Sequence, residues 1–309
     1  VYPLSDQASS VLDVLRFALE AQGANIVTSC DVIEVKHKAR GYEALSATGE
    51  TYFGDKLIIA CGGAAGKKLG GSKSGYHLLE QLGHSTTALF PSLTQIQTDP
   101  THVKAHKGMR AVAHVRLRKD GETLQDSFGE VQFTDYGLSG ICIMQLSGLL
   151  APGRRPRAPV VELDLFPGLS EMDLTRLLAR HAIQTASDTL AGFWTGLLNV
   201  KLGYALWEAA NMPNNRSVKQ MQPLAHAAKH WRFEGLTPCG WRQAQTTGGG
   251  LALTEVESTF QFRGCPGLYF VGETLDCAGS CGGFNLHWAF GSGLAAGQDA
   301  AKRLCSRKR

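Results

Sequence analysis

The sequence of 309 residues has no pair of cysteines at the C-x-x-C spacing of zinc and redox motifs. The shortest separation, from Cys277 to Cys281, leaves three residues between the thiols, and His287 is the single histidine near it. We therefore predict no metal site. The eight cysteines are scattered, and some, such as Cys142, lie in apolar segments as small buried hydrophobes do in a reducing compartment. This usage predicts a cytoplasmic protein.

Two further absences restrict the partners. No apolar run approaches the length of about 18 residues that would suggest a membrane span, so we expect no membrane partner. The formal net charge is only +4, and the basic residues are dispersed except at 302–303 and 307–309. A nucleic-acid-binding module needs clustered Lys and Arg interleaved with exposed aromatic residues. We therefore expect no nucleic-acid partner and a small-molecule substrate; the oligomeric state is left open.

The most informative segment of the chain is 266–293. An apolar strand is predicted over 268–271, because β-branched and aromatic residues stand there between glycines. Gly272 allows a ligand to approach the backbone, and Glu273 follows at the carboxyl end of the strand, where open α/β sheets bind ligands. A ribose or ribityl hydroxyl is the natural partner of that carboxylate. Two glycines at 282–283 then open a predicted helix, whose amino terminus would stabilise negative charge on a phosphate or a reduced flavin.

The rest of the chain predicts an α/β protein of two domains. A first, discontinuous domain comprises 1–86 and 241–309, and an inserted domain spans 87–240, β-rich over 87–168 and helical over 169–240. The first domain is predicted to hold a helix over 5–20 whose inner face covers a sheet, strands over 24–27, 32–35, 42–46, 51–53 and 56–60, and a helix over 75–82. The inserted domain is predicted to hold strands over 111–118, 130–134, 141–145 and 160–165, and a helix that begins at Ser170.

Several segments together resemble one family. They are Val1–Asp6 and the helix after it, Ile58–Gly63, Gln132–Ser147, Thr247–Gly250 and the segment 266–293. In this order they resemble the BaiN/YhiN-like flavoproteins, also called the aminoacetone oxidase family, among the NAD(P)/FAD-dependent oxidoreductases. The resemblance covers nearly the whole chain. It implies a Rossmann-like FAD/NAD(P)-binding domain with an inserted domain.

The resemblance also implies the cofactor and the residues that hold it. FAD is the expected cofactor, and NAD(P)H or oxygen is the expected redox partner. Family members begin with a βαβ unit that carries G-x-G-x-x-G, and this sequence has no such pattern between a strand and a helix. We therefore expect an N-terminally truncated fragment in which the first βαβ unit is missing. The predicted cofactor-binding residues are Cys61, Gly62, Gly63, Thr247, Gly248, Gly249, Gly272, Glu273, Asp276, Gly282, Gly283, Phe284 and Asn285.

Alternatives stay open at several positions. Asp276 either contacts the flavin or caps the loop before the last helix, and Asn285 either caps that helix or meets the flavin edge. In the turn over 133–140, Tyr136 can donate a proton and Ser139 can bind a polar group, but a connection between strands uses such residues for turn geometry alone. The histidines show no paired carboxylate at a revealing spacing, so no catalytic residue is assigned.

The predicted function follows from the expected cofactor. A flavin carries the electron chemistry, and the protein supplies placement, a positive helix terminus and exclusion of water. We predict an FAD-dependent oxidoreductase that transfers a hydride or two electrons between flavin and a small organic substrate. The resemblance implies either oxidation of an amine or reduction of an unsaturated or keto compound. The alternative is a truncated, cofactor-free fragment without catalytic activity.

Overall fold

The structure is a computed structural model, and it describes residues 3–185, 189–213 and 221–306. The helices are α1 (Ala8–Ala21), α2 (Ser74–Gln81), α3 (Ile141–Met144), α4 (Glu171–Gln184), α5 (Leu190–Trp194), α6 (Val200–Ala209), α7 (Met221–Lys229) and α8 (Phe284–Ser306). The strands are β1 (Val32–His37), β2 (Tyr42–Ser46), β3 (Thr51–Gly54), β4 (Leu57–Ile59), β5 (Phe90–Ser92), β6 (Ile96–Gln97), β7 (Arg110–Lys119), β8 (Glu122–Phe133), β9 (Gly137–Ser139), β10 (Val160–Asp164), β11 (Trp231–Phe233), β12 (Thr237–Pro238), β13 (Thr246–Gly248) and β14 (Leu268–Phe270).

Strands β4 and β14 form a parallel pair although they are far apart in the chain. Leu57 is paired with Leu268, and Ile59 with Phe270. All three residues of β14 are buried, as the unbroken apolar run predicts for a strand covered on both faces. Strands β1, β2 and β3 form an antiparallel meander beside this pair. An apolar cluster joins α2, the meander, β4 and β14 into one core.

The middle of the chain forms a larger unit around a seven-stranded sheet. Its strand order is β11-β10-β7-β8-β9-β6-β12, and the neighbouring strands are antiparallel. Alternate residues of β7, such as Val115 and Leu117, enter a core that also takes buried side chains from α4, α6 and α7. Helix α4 begins where the sequence predicts, because the Ser170 hydroxyl accepts a hydrogen bond from the Asp173 N–H at 3.1 Å. The exact division of the chain into domains stays a prediction.

Three local predictions are wrong. Residues 141–145 were expected as a strand but form α3, because Gly140 turns the chain at φ 106° and the short apolar run after it buries equally well as a helical turn. Residues 24–27 lie outside every strand. Helix α1 forms, but none of its residues is buried, so its apolar stripe covers no sheet among the described residues.

Candidate functional site

A cavity of about 390 Å³ lies at the carboxyl ends of β4 and β14. Ala60 and Gly62 follow β4 into its wall, and Gly272 and Glu273 follow β14. Gly283, directly before α8, lines the same cavity. The strand-end carboxylate and the amino terminus of the long helix therefore face one common space, at the position where open α/β sheets bind ligands.

The side chain of Glu273 is fixed by its surroundings. Its carboxylate accepts a hydrogen bond from the backbone N–H of Thr247, and its backbone carbonyl accepts one from the Tyr76 hydroxyl at 2.7 Å. Gly63 lies directly behind the carboxylate, where a Cβ atom would come within 2.7 Å of the Glu273 Cδ atom. Burial, together with the nearby charge of Glu273, raises the pKa of Tyr76, so this phenol remains a hydrogen-bond donor.

The amino terminus of α8 is attached to the end of β14 by hydrogen bonds. The Gly272 N–H donates to the Ser292 hydroxyl at 2.9 Å, and the Trp288 indole N–H donates to the Gly272 carbonyl at 3.0 Å. Gly282 and Gly283 have φ values of 118° and 92°, which an L side chain adopts only with strain. The two glycines thus let the chain turn into α8 with its positive end at the cavity.

Asn285 and Asp276 both make structural contacts in the loop before α8. The Asn285 amide accepts from the Gly279 N–H at 2.8 Å and donates to the Gly279 carbonyl at 3.0 Å. The Asp276 carboxylate accepts from the Thr87 hydroxyl at 2.8 Å and from the Gly249 N–H at 3.2 Å. These contacts are those of loop-capping residues, and a flavin contact of either side chain stays a prediction.

The predicted cofactor-binding residues fall into two groups. Six of them line the cavity: Gly62, Gly272, Glu273, Gly282, Gly283 and Asn285. The other seven do not line it: Cys61, Gly63, Thr247, Gly248, Gly249, Asp276 and Phe284. Gly63 and Thr247 instead contact Glu273 from behind, Gly248 leaves room for the Phe90 ring, and the side chain of Phe284 is exposed.

Sequence reasoning missed part of the cavity wall. Gln245, Thr246, Cys277, Cys281 and Trp288 line the cavity without having been predicted. The neighbouring Thr-Gly-Gly-Gly run is a signal for Thr246, whereas no local pattern marks Cys277 and Cys281 as part of a cavity wall. Burial raises the pKa of the Cys277 and Cys281 thiols, and the Asp276 charge adds to it at Cys277, so both thiols are protonated at neutral pH.

One buried polar atom tests whether the cavity suits a polar ligand. Within the described ranges, the Thr246 hydroxyl oxygen is buried and has no hydrogen-bond partner. Buried hydroxyls nearly always have a partner, so this one is suited to a ligand atom in the cavity. Together with the glycine backbone and the helix terminus, it makes the site fit the polar part of a flavin.

The turn over 133–140 has the geometry of a connection between strands. The Thr134 hydroxyl accepts from the Gly137 N–H at 3.0 Å, and the Tyr136 hydroxyl donates to the Gln95 side chain. Ser139 is buried within β9. Burial raises the pKa of Tyr136, with smaller contributions from nearby charges. Neither Tyr136 nor Ser139 lines the cavity.

Several histidines have carboxylate partners in the structure that their spacing in the sequence does not reveal. His77 lies 3.4 Å from Glu80, and His114 lies 3.1 Å from Asp126. His226 and His230 both approach one carboxylate, that of Glu171. The last case joins residues that are far apart in the sequence, and their spacing could not reveal it.

Comparison with known proteins assigns the family. The family model described as the HI0933-like protein Rossmann domain matches residues 1–299. The chain is 34% identical over 310 residues to the 3-dehydro-bile acid delta(4,6)-reductase of Clostridium scindens, across 98% of this chain and 76% of that protein. It is 28% identical over 305 residues to the ribosomal RNA dihydrouridine synthase of Escherichia coli, across 95% and 72% of the two chains. The protein of the same name from Haemophilus influenzae is 25% identical over 303 residues, across 93% and 71%.

These matches confirm the resemblance, the Rossmann-like α/β fold and the assignment as an enzyme. None of the helices in the described ranges combines the length and apolarity that crossing a bilayer requires. The chain belongs to the HI0933-like Rossmann family and is a flavin-dependent oxidoreductase.

Proposed function

We propose that the cavity at β4 and β14 holds FAD and that the enzyme reduces a carbon–carbon double bond in a small unsaturated compound, with NAD(P)H as reductant. The observation that carries the proposal is the common cavity of Glu273 and Gly283. Bound flavin would supply hydride transfer, the chemistry that a protein side chain cannot.

The names of the relatives support a reduction. One relative is named as a reductase, and the other two are named for the synthesis of dihydrouridine, which is uridine with two added hydrogens. Addition of a hydride to one carbon and a proton to its neighbour consumes the double bond and balances the oxidation of NAD(P)H. We therefore favour reduction of a double bond over oxidation of an amine.

Residues of this chain would bind and orient the cofactor. Glu273 is placed to accept a hydrogen bond from a ribityl or ribose hydroxyl, because the Thr247 N–H and Gly63 hold its carboxylate at the cavity. The unpartnered Thr246 hydroxyl would add a polar contact. The amino terminus of α8 would stabilise negative charge on the reduced ring.

The same cavity would limit access of water to the reacting atoms. Leu93, Val271 and Trp288 contribute apolar surface to its wall, and a dry site strengthens each electrostatic contact within it. The thiols of Cys277 and Cys281 are protonated at neutral pH and lie in this wall, but no catalytic acid is assigned.

The experiment is purification of the full 309-residue chain followed by absorption spectroscopy and mass spectrometry of the released cofactor. We expect a flavin spectrum and the mass of FAD, and bleaching on anaerobic addition of NADPH or NADH. Glu273→Ala should weaken FAD retention. A colourless product that does not take up added FAD would support the alternative of a cofactor-free fragment.

Reduction of uridine in RNA is the competing candidate, since two relatives are ribosomal RNA dihydrouridine synthases. We propose a small molecule instead, because the formal net charge is only +4 and most Lys and Arg residues are dispersed along the sequence. Incubation of the reduced enzyme with ribosomal RNA, followed by nucleoside analysis, separates the two. Formation of dihydrouridine would contradict the small-molecule proposal and leave the FAD assignment intact.

A further inference from the structure

Two histidines and a glutamate converge on the surface of the inserted domain. His226 and His230 are four residues apart, so they lie on the same side of α7 and its carboxyl end. Their ring centroids are 4.7 Å apart. Glu171, the first residue of α4, faces both rings because α4 packs against α7.

The three side chains have the spacing of ligands to one metal ion. The Glu171 Oε2 atom lies 3.1 Å from His226 Nδ1 and 3.5 Å from His230 Nε2, and the ligand atoms of all three side chains lie within 4.8 Å of one another. Two ligands at roughly 2.1 Å from a tetrahedral zinc ion are separated by about 3.4 Å. We propose that Glu171, His226 and His230 bind a divalent transition metal ion, with zinc as the best match to a set of two imidazoles and one carboxylate.

A second carboxylate orients His230 for this role. The Nδ1 atom of His230 lies 3.3 Å from Glu162 Oε1, and Glu162 is completely buried. A hydrogen bond from Nδ1–H to Glu162 leaves the Nε2 lone pair free to face Glu171 and the metal. Metal-binding histidines generally donate their second ring nitrogen to a carboxylate or a carbonyl in this way.

The neighbouring cations are paired with Glu162 rather than with Glu171. Arg118 donates to both oxygens of Glu162 at 3.0 and 3.1 Å, and Arg116 and Arg232 each lie 3.5 Å from it. Among the described ion pairs, the Glu171 carboxylate meets imidazoles and no guanidinium group. Its charge is therefore available to a metal ion.

The site would retain room for a further ligand. His226 and His230 also line a cavity of about 870 Å³, which is separate from the cavity at β4 and β14 and includes His106 and Trp231 in its wall. Because two of the three proposed ligands border this open space, a fourth position is left for water or an organic ligand. The ion would also cross-link α4 to α7.

The test is calorimetric titration of the metal-stripped 309-residue chain with zinc chloride. We expect one site per chain with a Kd of about 1 µM or tighter. His226→Ala, whose side chain is largely exposed, should weaken that binding by at least about 100-fold, and Glu171→Gln should weaken it by a similar factor. His77→Ala is the matched control, because His77 forms an exposed pair with Glu80 and should bind zinc as the wild type does.

Cobalt titration distinguishes the proposed ligands from the free cysteines. Imidazole and carboxylate ligands give weak ligand-field bands, whereas thiolates add an intense charge-transfer band. A charge-transfer band, or a zinc affinity that is the same in His226→Ala and the wild type, would overturn the proposal. So would a wild-type Kd weaker than about 100 µM.

Discussion

Gly63 is predicted to be essential for the position of the Glu273 carboxylate. In Gly63→Ala the new Cβ atom would lie 2.4 Å from Thr247 Oγ1, 2.7 Å from Glu273 Cδ and 2.9 Å from Glu273 Oε2, closer than real Cβ atoms approach other atoms. The backbone of Gly63 is not left-handed, so alanine adds no backbone strain. The Thr247 hydroxyl and the Glu273 carboxylate must therefore both shift, and the shift disturbs the hydrogen bond that the carboxylate accepts from the Thr247 N–H.

The size of the effect follows from the burial of Thr247, which is completely inaccessible to solvent. Loss of the hydrogen-bond acceptor of a buried N–H lowers the free energy of unfolding by about 1–3 kcal/mol. If the displaced carboxylate also loses its hydrogen bond from a hydroxyl of the cofactor, flavin affinity falls by about tenfold for each 1.4 kcal/mol of binding free energy lost. We expect a drop of about 10- to 100-fold in affinity.

Flavin fluorescence titration and thermal unfolding of the apoprotein measure the two effects separately. Gly66→Ala is the matched control in the same loop, because Gly66 has a φ of 65° and open space around its Cβ position. Left-handed strain should lower its stability by about 1–2 kcal/mol and leave flavin affinity unchanged. Wild-type flavin affinity in Gly63→Ala would refute the role given to Glu273.

Three further predictions concern the surroundings of the site. Ser292→Ala removes the acceptor of the Gly272 N–H and should lower the free energy of unfolding, measured by urea denaturation, by about 1–3 kcal/mol. Ser292→Thr keeps a hydroxyl acceptor and should retain most of the wild-type stability. Burial raises the pKa of Asp299, but hydrogen bonds from Tyr269 and Arg303 lower it overall. The ionised Asp299 carboxylate therefore stabilises the folded state above pH 3.8, and this stabilisation is lost as the pH falls through the lowered pKa. Asp299→Asn should flatten that part of the stability–pH curve, and an unchanged curve would contradict the assignment. Because burial raises the pKa of Cys281, iodoacetamide at neutral pH should modify it more slowly than the exposed thiol of Cys305, as peptide mass mapping would show.

The sequence predicted those parts of the fold in which local signals agree. The apolar run over 268–271 bounded by glycines gave β14, and the paired glycines at 282–283 marked the start of α8. Short apolar runs were ambiguous, because a buried strand and a buried helical turn have the same composition. That ambiguity explains why 141–145 was predicted as a strand and forms α3.

Contacts between distant segments could not be predicted from local patterns. The Thr247 N–H that binds Glu273 is on β13, and its neighbour Thr246 enters the cavity wall only because β13 pairs with β5. Glu171 meets His226 because α4 packs against α7. In both cases the partner is set by tertiary packing, which a single sequence does not display.

The pairing of β4 with β14 has a consequence for synthesis of the protein in the cell. Residues 57–59 leave the ribosome long before residues 268–270, and at about 5–20 residues per second the delay is roughly 10–40 s. During this time the middle of the chain can form its seven-stranded sheet, while β4 remains without its partner strand β14. In the proposed function, flavin loading would therefore be a late event, and nascent chains interrupted before β14 would lack the cavity.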